Sequence, residues 1–413
     1  MSDLQTKDIN KVLYYSYLPD CRLKLPEKIE KASREEAFTE DYDSLIKRGK
    51  SSLKQSFDSI IENIDTNKEQ VIPLSSGLDS RMILAHLINH PKIDISNIHT
   101  VTLGSPNTYD YEYGQQVSEE AGVKNTVINL QSESFNWSLE SLRNFSNSNG
   151  YRSPGRILDK YIISHIFNVP DNEAVFWSGF MGGELAGSHL PDNPSSKWKE
   201  AVAWFTQWER YTTENQLISP NWKADDLLPK EPYISNQSLA YELQLDYTHR
   251  QQCLIKDIVQ SDRCQTPYMQ TEWLEFILNT SQNMRENRTL FKEICKSTFP
   301  QLFSIPTDAN NGLPLSAGRY RQQSRRIRTA LTRRVSGFFD IGYYPNMNYI
   351  NFESELRTNG CLYSAAKSLI DDFSERDIVG WFDASDVWTK HQSGENLANE
   401  IRVICSLELY LSS

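Results

Sequence analysis

The feature that most constrains the fold is a regular alternation of short apolar runs and amphipathic segments. Residues 51–64 carry apolar side chains at helical spacing, and the apolar run 70–74 that follows is typical of a buried strand. The alternation continues with predicted strands at 98–103, 126–130 and 174–178, and with predicted helices at 79–90, 110–122, 137–147 and 157–167. Because strands that alternate with helices form parallel sheets, we predict an α/β fold with a parallel, doubly wound sheet. The ligand crevice of such a sheet lies beyond the carboxyl ends of its strands.

The pattern changes near residue 190. We predict helices at 198–211, 238–259, 271–282 and 289–299, followed by a loop at 300–318 that is rich in Pro, Gly and Asn. The chain is therefore divided into a linker-like segment 1–50, an α/β core 51–190 and a mostly helical region 191–413 on the substrate side.

Composition disfavours several classes of protein. The formal net charge of −11 argues against non-specific nucleic-acid binding, which needs Lys and Arg to neutralise phosphates. The six cysteines include no C-x-x-C pair, which disfavours a zinc or redox site. The polar amino terminus and the lack of any run of about 18 apolar residues predict a cytoplasmic protein without a membrane partner.

The strongest local signal is the segment 73–80, Pro-Leu-Ser-Ser-Gly-Leu-Asp-Ser, between a predicted strand and a predicted helix. Backbone N–H groups at a helix N-terminus and the hydroxyls of Ser75, Ser76 and Ser80 can bind phosphate oxygens. Asp79 repels a bare phosphate, so its carboxylate is expected to cap the helix or to bind Mg²⁺. The alternative interpretation is an ordinary strand–turn–helix junction with Ser and Asp as caps.

This loop resembles the S-G-G-x-D-S loop of the PP-loop ATP pyrophosphatases. Ser75, Gly77, Asp79 and Ser80 match that pattern, and Ser76 stands where the first glycine usually does. Segment 178–187, Ser-Gly-Phe-Met-Gly-Gly-Glu-Leu-Ala-Gly, is similar to the S-G-x-G-x-D-E-L-x-G-G segment of asparagine synthetase and β-lactam synthetase. Together these segments point to the asparagine synthetase-like branch of the family over residues 50–315.

The resemblance implies a PP-loop fold and an ATP-dependent, AMP-forming carbon–nitrogen ligase. Such an enzyme adenylates a small-molecule or peptide carboxylate, releases pyrophosphate and transfers the acyl group to an amine. It implies ATP and Mg²⁺ as ligands, with the nucleotide bound at Ser75, Ser76, Gly77, Asp79, Ser80, Leu103, Gly104 and Gly179. It also implies Asp79 and Glu184 as metal ligands, and we include Asp79, Glu184 and Arg81 as catalytic candidates.

The chain departs from this family in three places. Phe180 and Gly183 stand where relatives carry acidic residues, and the loop 306–315 lacks the lysine that stabilises the acyl-adenylate in relatives. Arg81, Arg250, Arg319 or Arg321 could supply that positive charge instead. Only residues 1–50 precede the predicted core, so we expect no glutamine-hydrolysing domain and a nitrogen source that is an amine or a partner protein.

Three functions remain open at this point. The first is the ligase, acting in a natural-product, modified-peptide or surface-polysaccharide pathway. The second is a catalytically impaired nucleotide-binding partner subunit, which the missing lysine, Phe180 and Gly183 favour. The third is a tRNA-modifying PP-loop enzyme, which the arginine-rich segment 319–334 favours and the negative net charge disfavours.

Overall fold

A five-stranded parallel sheet forms the centre of the molecule. The computed structural model describes residues 6–413, apart from 34–37, 149–152, 171, 214–216, 225–226, 236–238, 319, 322, 326 and 329–348. The strands are β1 (Glu69–Pro73), β2 (Ile98–Gly104), β3 (Lys124–Asn129), β4 (Ala174–Trp177) and β5 (Cys264–Gln265). Their order is β3-β2-β1-β4-β5, and every neighbouring pair is parallel. The predicted parallel α/β architecture is therefore confirmed.

Helices surround this sheet and continue beyond it. The first half of the chain contains α1 (Thr6–Tyr15), α2 (Glu27–Ala32), α3 (Tyr42–Ile61), α4 (Leu78–Ile88), α5 (Tyr109–Ala121), α6 (Leu139–Asn147), α7 (Ile157–Ser164) and α8 (Gly182–Leu185). The second half contains α9 (Trp198–Trp208), α10 (Tyr241–Leu245), α11 (Lys256–Ile258), α12 (Thr271–Ile277), α13 (Gln282–Arg285), α14 (Thr289–Thr298), α15 (Phe352–Glu355), α16 (Cys361–Arg376), α17 (Ala384–Gln392) and α18 (Ala398–Leu411). Between α10 and α11, residues Asp246–Ile255 wind as a π-helix.

Both faces of the sheet are covered by apolar side chains. Successive strand residues point to opposite faces, so neighbouring residues of β1 belong to different hydrophobic clusters. Ile72 packs in the cluster that contains Phe57 of α3 and Met82 of α4, whereas Val71 packs with Ile166 on the other face. This burial explains why the strands have continuous apolar runs rather than alternating ones.

In the strand order, β1 is the topological switch point of the sheet. β2 and β3 lie on one side of β1, and β4 and β5 lie on the other. Loops that follow strands on the two sides of such a switch point leave a crevice at the carboxyl edge of the sheet. The segments after β1 and β4, which carry the two predicted motifs, therefore lie at the same edge.

The local predictions agree with the structure except at element ends and at one strand. Gly122 ends α5 in the left-handed conformation (φ 67°), as expected for a glycine after a helix. Helix α3 begins earlier than its apolar stripe, at a turn where the Asp41 side chain accepts a hydrogen bond from the Ser44 N–H. Strand β5 has only two residues, which is too short for a periodicity signal.

The three predicted segments share hydrophobic clusters. Val12 and Leu13 of the linker-like segment pack with Ile401 of α18, and Ile29 packs with the α/β core. Strand β5 comes from beyond residue 190 and completes the sheet. In the described part of the chain, no helix has both the length and the apolar character needed to cross a bilayer.

Candidate active site

A cavity of about 310 Å³ opens at the carboxyl edge of the sheet. Its apolar part is lined by Pro73, Leu74, Val101, Leu103, Ile163, Ile166, Phe167, Phe176, Trp177, Phe180, Ile255, Val259, Cys264 and Tyr349. Its polar part is lined by Ser75, Gly77, Asp79, Ser80, Asp110, Ser178, Gly179 and Glu184. An apolar cavity with a few convergent polar groups is the usual form of a small-molecule site. The structure thus brings together the two segments that the sequence singled out.

The loop after β1 wraps the N-terminus of helix α4. Ser80 Oγ accepts a hydrogen bond from the Ser75 N–H at 3.2 Å and lies 3.2 Å from Ser75 Oγ. Ser75 Oγ in turn accepts a hydrogen bond from the Gly77 N–H at 3.2 Å. Gly77 is the N-cap of α4. Because it has no side chain, it cannot accept a hydrogen bond from the first backbone N–H groups of the helix. This arrangement suits an anion.

Ser76 differs from the other predicted phosphate ligands, because it does not line the cavity. Its backbone N–H and its hydroxyl both donate to Asp110 Oδ1, at 2.9 and 2.6 Å. Burial raises the pKa of Asp110 to about 7, although the two hydrogen bonds from Ser76 act in the opposite direction. Ser76 and Asp110 therefore hold the shape of the loop.

Asp79 lies in the first turn of α4 and points into the polar part of the cavity. Its Oδ1 is buried and has no hydrogen-bond partner within the described residues. Burial raises the pKa of this carboxyl to about 7; Arg288 opposes the rise, while Glu184 and Asp308 add to it. A buried, unpartnered carboxylate oxygen is costly in isolation, so its position fits a cation that would lie against it.

Glu184 reaches the same cavity from helix α8. Its backbone carbonyl accepts a hydrogen bond from the Tyr247 hydroxyl at 3.0 Å, which ties α8 to the π-helix. No three His, Cys, Asp or Glu side chains converge as metal ligands within the described ranges. Mg²⁺ commonly uses only one or two protein carboxylates and completes its shell with phosphates and water. Asp79 and Glu184 fit that pattern.

Arg81, a catalytic candidate from the sequence, does not line the cavity. Its fully buried guanidinium donates to the carbonyls of Ser76 (3.2 Å), Leu302 (3.1 Å), Ile305 (2.9 Å) and Pro306 (2.9 Å). Burial lowers the pKa of this guanidinium to about 10. These four contacts make Arg81 a link between the loop after β1 and residues 302–306.

The loop 306–315 packs directly on the loop after β1. The Thr307 hydroxyl donates to the Ser76 carbonyl at 2.7 Å, and the Tyr109 hydroxyl donates to the Asn311 carbonyl at 3.3 Å. The residue that this loop presents is the exposed Asp308, which lies close enough to Asp79 to raise its pKa. The loop 306–315 thus presents an acidic side chain near Asp79.

The cation that reaches Asp79 is Arg288, which the sequence analysis did not identify. A Cβ added at Gly183 would lie 3.7 Å from Arg288 Nη1, and the guanidinium lowers the pKa of Asp79. Arg288 has a left-handed backbone (φ 59°), as does Asn287 before it (φ 52°), so a tight turn aims the side chain. No motif surrounds Arg288 in the sequence. Its left-handed backbone is visible only in the structure.

The remaining cation candidates are placed elsewhere or lie outside the description. Arg250 Nε is 3.3 Å from Glu209 Oε2, Arg321 is exposed, and Arg319 lies outside the described residues. Leu103 lines the cavity, whereas Gly104 ends β2 without lining it.

The chain matches no model of a known protein family and no curated protein sequence. The fold and the cavity define a parallel α/β protein with a candidate ligand site at the carboxyl edge of its sheet. The functional assignment therefore depends on the chemistry of the residues in that site.

Proposed function

We propose that this protein is an ATP-dependent, AMP-forming ligase that joins a carboxylate to an amine. The observation that carries the proposal is the buried and unpartnered Asp79 oxygen beside a helix N-terminus, in the polar part of a largely apolar cavity. The resemblance of segments 73–80 and 178–187 to asparagine synthetase and β-lactam synthetase supports the same chemistry.

The division of the cavity into an apolar part and a polar part favours one orientation of a bound adenine nucleotide. The apolar part, with Leu103 and Phe176 among its walls, is suited to a flat heteroaromatic base. The polar part offers Ser75, Ser80 and the N-terminus of α4 to the β- and γ-phosphates. In this orientation the α-phosphate lies between the two parts, where a substrate carboxylate can approach it.

Two carboxylates would hold Mg²⁺ in this site. Asp79 and Glu184 supply oxygen ligands, and the ion would neutralise phosphate charge when bound. Arg288 supplies a fixed positive charge beside Asp79. The loop around Asp308 supplies no such charge, because the residue it presents near Asp79 is acidic. We propose that Arg288 stabilises the negative charge that develops during adenylation.

The reaction has two balanced steps. A carboxylate oxygen attacks the α-phosphorus, the bond to the bridging oxygen breaks, and pyrophosphate leaves with that electron pair. The amine nitrogen then attacks the acyl carbon of the adenylate, and AMP leaves with the electrons of the broken carbon–oxygen bond. The protein contributes mainly positioning and charge stabilisation.

The direct test is carboxylate-dependent ATP–pyrophosphate exchange with the full chain, Mg²⁺ and a panel of carboxylic acids. We expect exchange with at least one acid and a loss of about 10²-fold or more in D79N, because the ionic ligand is removed. D94N is the matched control, since Asp94 caps a short surface turn far from the cavity in sequence. Full exchange in D79N would contradict the assigned role of Asp79.

A second candidate function is a nucleotide-binding partner subunit without ligase activity. The acidic Asp308 in the loop that carries a lysine in relatives favours this alternative. The two proposals differ in one measurement: the partner subunit binds ATP by calorimetry but gives no exchange with any acid in the panel.

A further inference from the structure

A buried histidine–aspartate pair lies just beyond Glu184, outside the nucleotide cavity. His189 Nδ1 is 2.9 Å from Asp246 Oδ2, and the Asp246 side chain is only 1% exposed. The other oxygen of Asp246 accepts a hydrogen bond from Gln251 Nε2 at 3.2 Å. Because Asp246 binds the Nδ1–H, the pair selects the tautomer of His189 whose Nε2 is a free acceptor.

The pair borders an exposed aromatic surface. Trp208 is 38% exposed, and its ring centre lies 5.0 Å from that of His189 in an edge-to-face arrangement. The guanidinium of Arg250 lies 5.7 Å from the same ring and pairs with Glu209. The Trp204 ring also stacks on Trp208 at 5.2 Å, so His189 lies at the edge of an aromatic surface that already has a cation beside it.

Local structure connects this pair to the candidate active site. The turn after α8 is closed by a 2.9 Å hydrogen bond from the Ser188 N–H to the Gly183 carbonyl, and His189 follows this turn directly. Asp246 begins the π-helix whose next residue, Tyr247, binds the Glu184 carbonyl. π-Helical segments are rare and occur frequently at functional sites.

The charges around His189 make its imidazole a stronger base. Burial lowers the pKa of His189, but Asp246 and Glu184 raise it more strongly, and Arg250 partly opposes them. Glu209 completes this set of charged neighbours, and burial raises its own pKa to about 8.

We propose that His189, oriented by Asp246, is the base that accepts the proton of the amine substrate. The inference rests on the proposed ligase function and assigns the acceptor side of that site. Asp246 is a positioning residue, because it acts through the imidazole.

The proton transfers balance in this scheme. Neutral His189 takes one proton from the ammonium at Nε2, and the freed amine forms the carbon–nitrogen bond with the acyl-adenylate. AMP leaves with the electron pair of the broken carbon–oxygen bond, and the second amine proton departs with the AMP phosphate. A base in reach of the nucleophile typically accelerates such a step by about 10²–10⁴-fold.

The test separates adenylation from amide formation in the full-length chain. With an acid that supports exchange, we would measure ATP–pyrophosphate exchange, amide formation with a panel of alkyl primary amines, and hydroxamate formation with hydroxylamine. Hydroxylamine is largely unprotonated at neutral pH, so it does not need a base. In H189Q we expect amide formation to fall about 10²-fold or more and to lose its wild-type pH dependence, while exchange and hydroxamate formation stay within about threefold.

Two further variants complete the design. D246N should show the same selective loss to a smaller degree, and H90Q is the matched control because His90 also faces an aspartate, Asp58, at 3.4 Å. Unchanged amide formation and pH dependence in H189Q would overturn this proposal alone. Loss of exchange together with amide formation in both H189Q and D246N would also overturn it. No exchange in the wild-type chain with any acid would overturn the proposed function and this inference with it.

Discussion

Asp79 illustrates how a single buried carboxylate can link stability to function. Its pKa of about 7 in the folded protein lies above the value of about 3.9 in an unfolded chain. The folded state therefore binds the proton more tightly, and the stability present at low pH is lost as the pH rises from about 4 to about 8. The charged carboxylate therefore costs stability in the ligand-free protein, which is the pattern expected of a group that binds a cation, as proposed for Asp79.

D79N should therefore stabilise the ligand-free protein at alkaline pH while it reduces exchange by about 10²-fold or more. We expect the free energy of unfolding at pH 8 to rise by on the order of 2 kcal/mol, and by less at pH 5, because the amide has no charge to bury. Urea unfolding of wild type, D79N and D94N at both pH values measures this difference. Equal stability of D79N and wild type at pH 8 would show that burial of the charge is not costly.

Arg288 provides a second prediction at the scale of one residue. R288M should reduce ATP–pyrophosphate exchange by about 10²–10³-fold, because a fixed charge near the reacting phosphate is lost. R288K should recover part of the activity, since it restores a positive charge with different geometry. R143M is the control, because Arg143 pairs with Asp372 on an exposed helix surface. Exchange in R288M at the level of R143M would exclude Arg288 as the replacing cation.

At the scale of elements, the turn between β4 and α8 must approach the N-terminus of α4 closely. A Cβ at Gly182 would lie 2.6 Å from Asp79 Oδ1 and 2.9 Å from the Tyr268 ring, whereas a Cβ at Gly183 would lie 3.2 Å from Asp79 Oδ2. Real Cβ atoms do not lie as close as 2.6 Å to another heavy atom. An alanine at position 182 would therefore force the Asp79 carboxylate or the turn to move.

G182A should therefore impair exchange more than G183A does. We expect a difference of about tenfold or more, equivalent to about 1.4 kcal/mol of transition-state stabilisation. Both variants should retain the wild-type circular dichroism spectrum, which serves as the folding control. An equal effect of the two substitutions would contradict the close approach at Gly182.

At the scale of the whole molecule, the amino-terminal helix is part of a core that the carboxyl-terminal helices complete. Leu13 is fully buried with Val12, Ile401 and Ile404. L13A should cost about 2–5 kcal/mol in the free energy of unfolding, because it removes buried methyl groups and leaves a cavity. I95A is the control, since Ile95 is 47% exposed and should change stability by less than about 0.5 kcal/mol. Similar urea midpoints for the two variants would show that α1 does not stabilise the fold.

The amino-acid sequence by itself determined the strand and helix alternation, the parallel α/β class, and the position of the loop at the start of α4. These features depend on periodicity and capping within one or two turns of chain, so a short window contains the necessary information. Only the tertiary structure decided that Ser76 turns to Asp110, that Arg81 braces two loops, and that Arg288 reaches Asp79. Such contacts join segments far apart in the chain, and packing rather than local pattern selects which side chains meet.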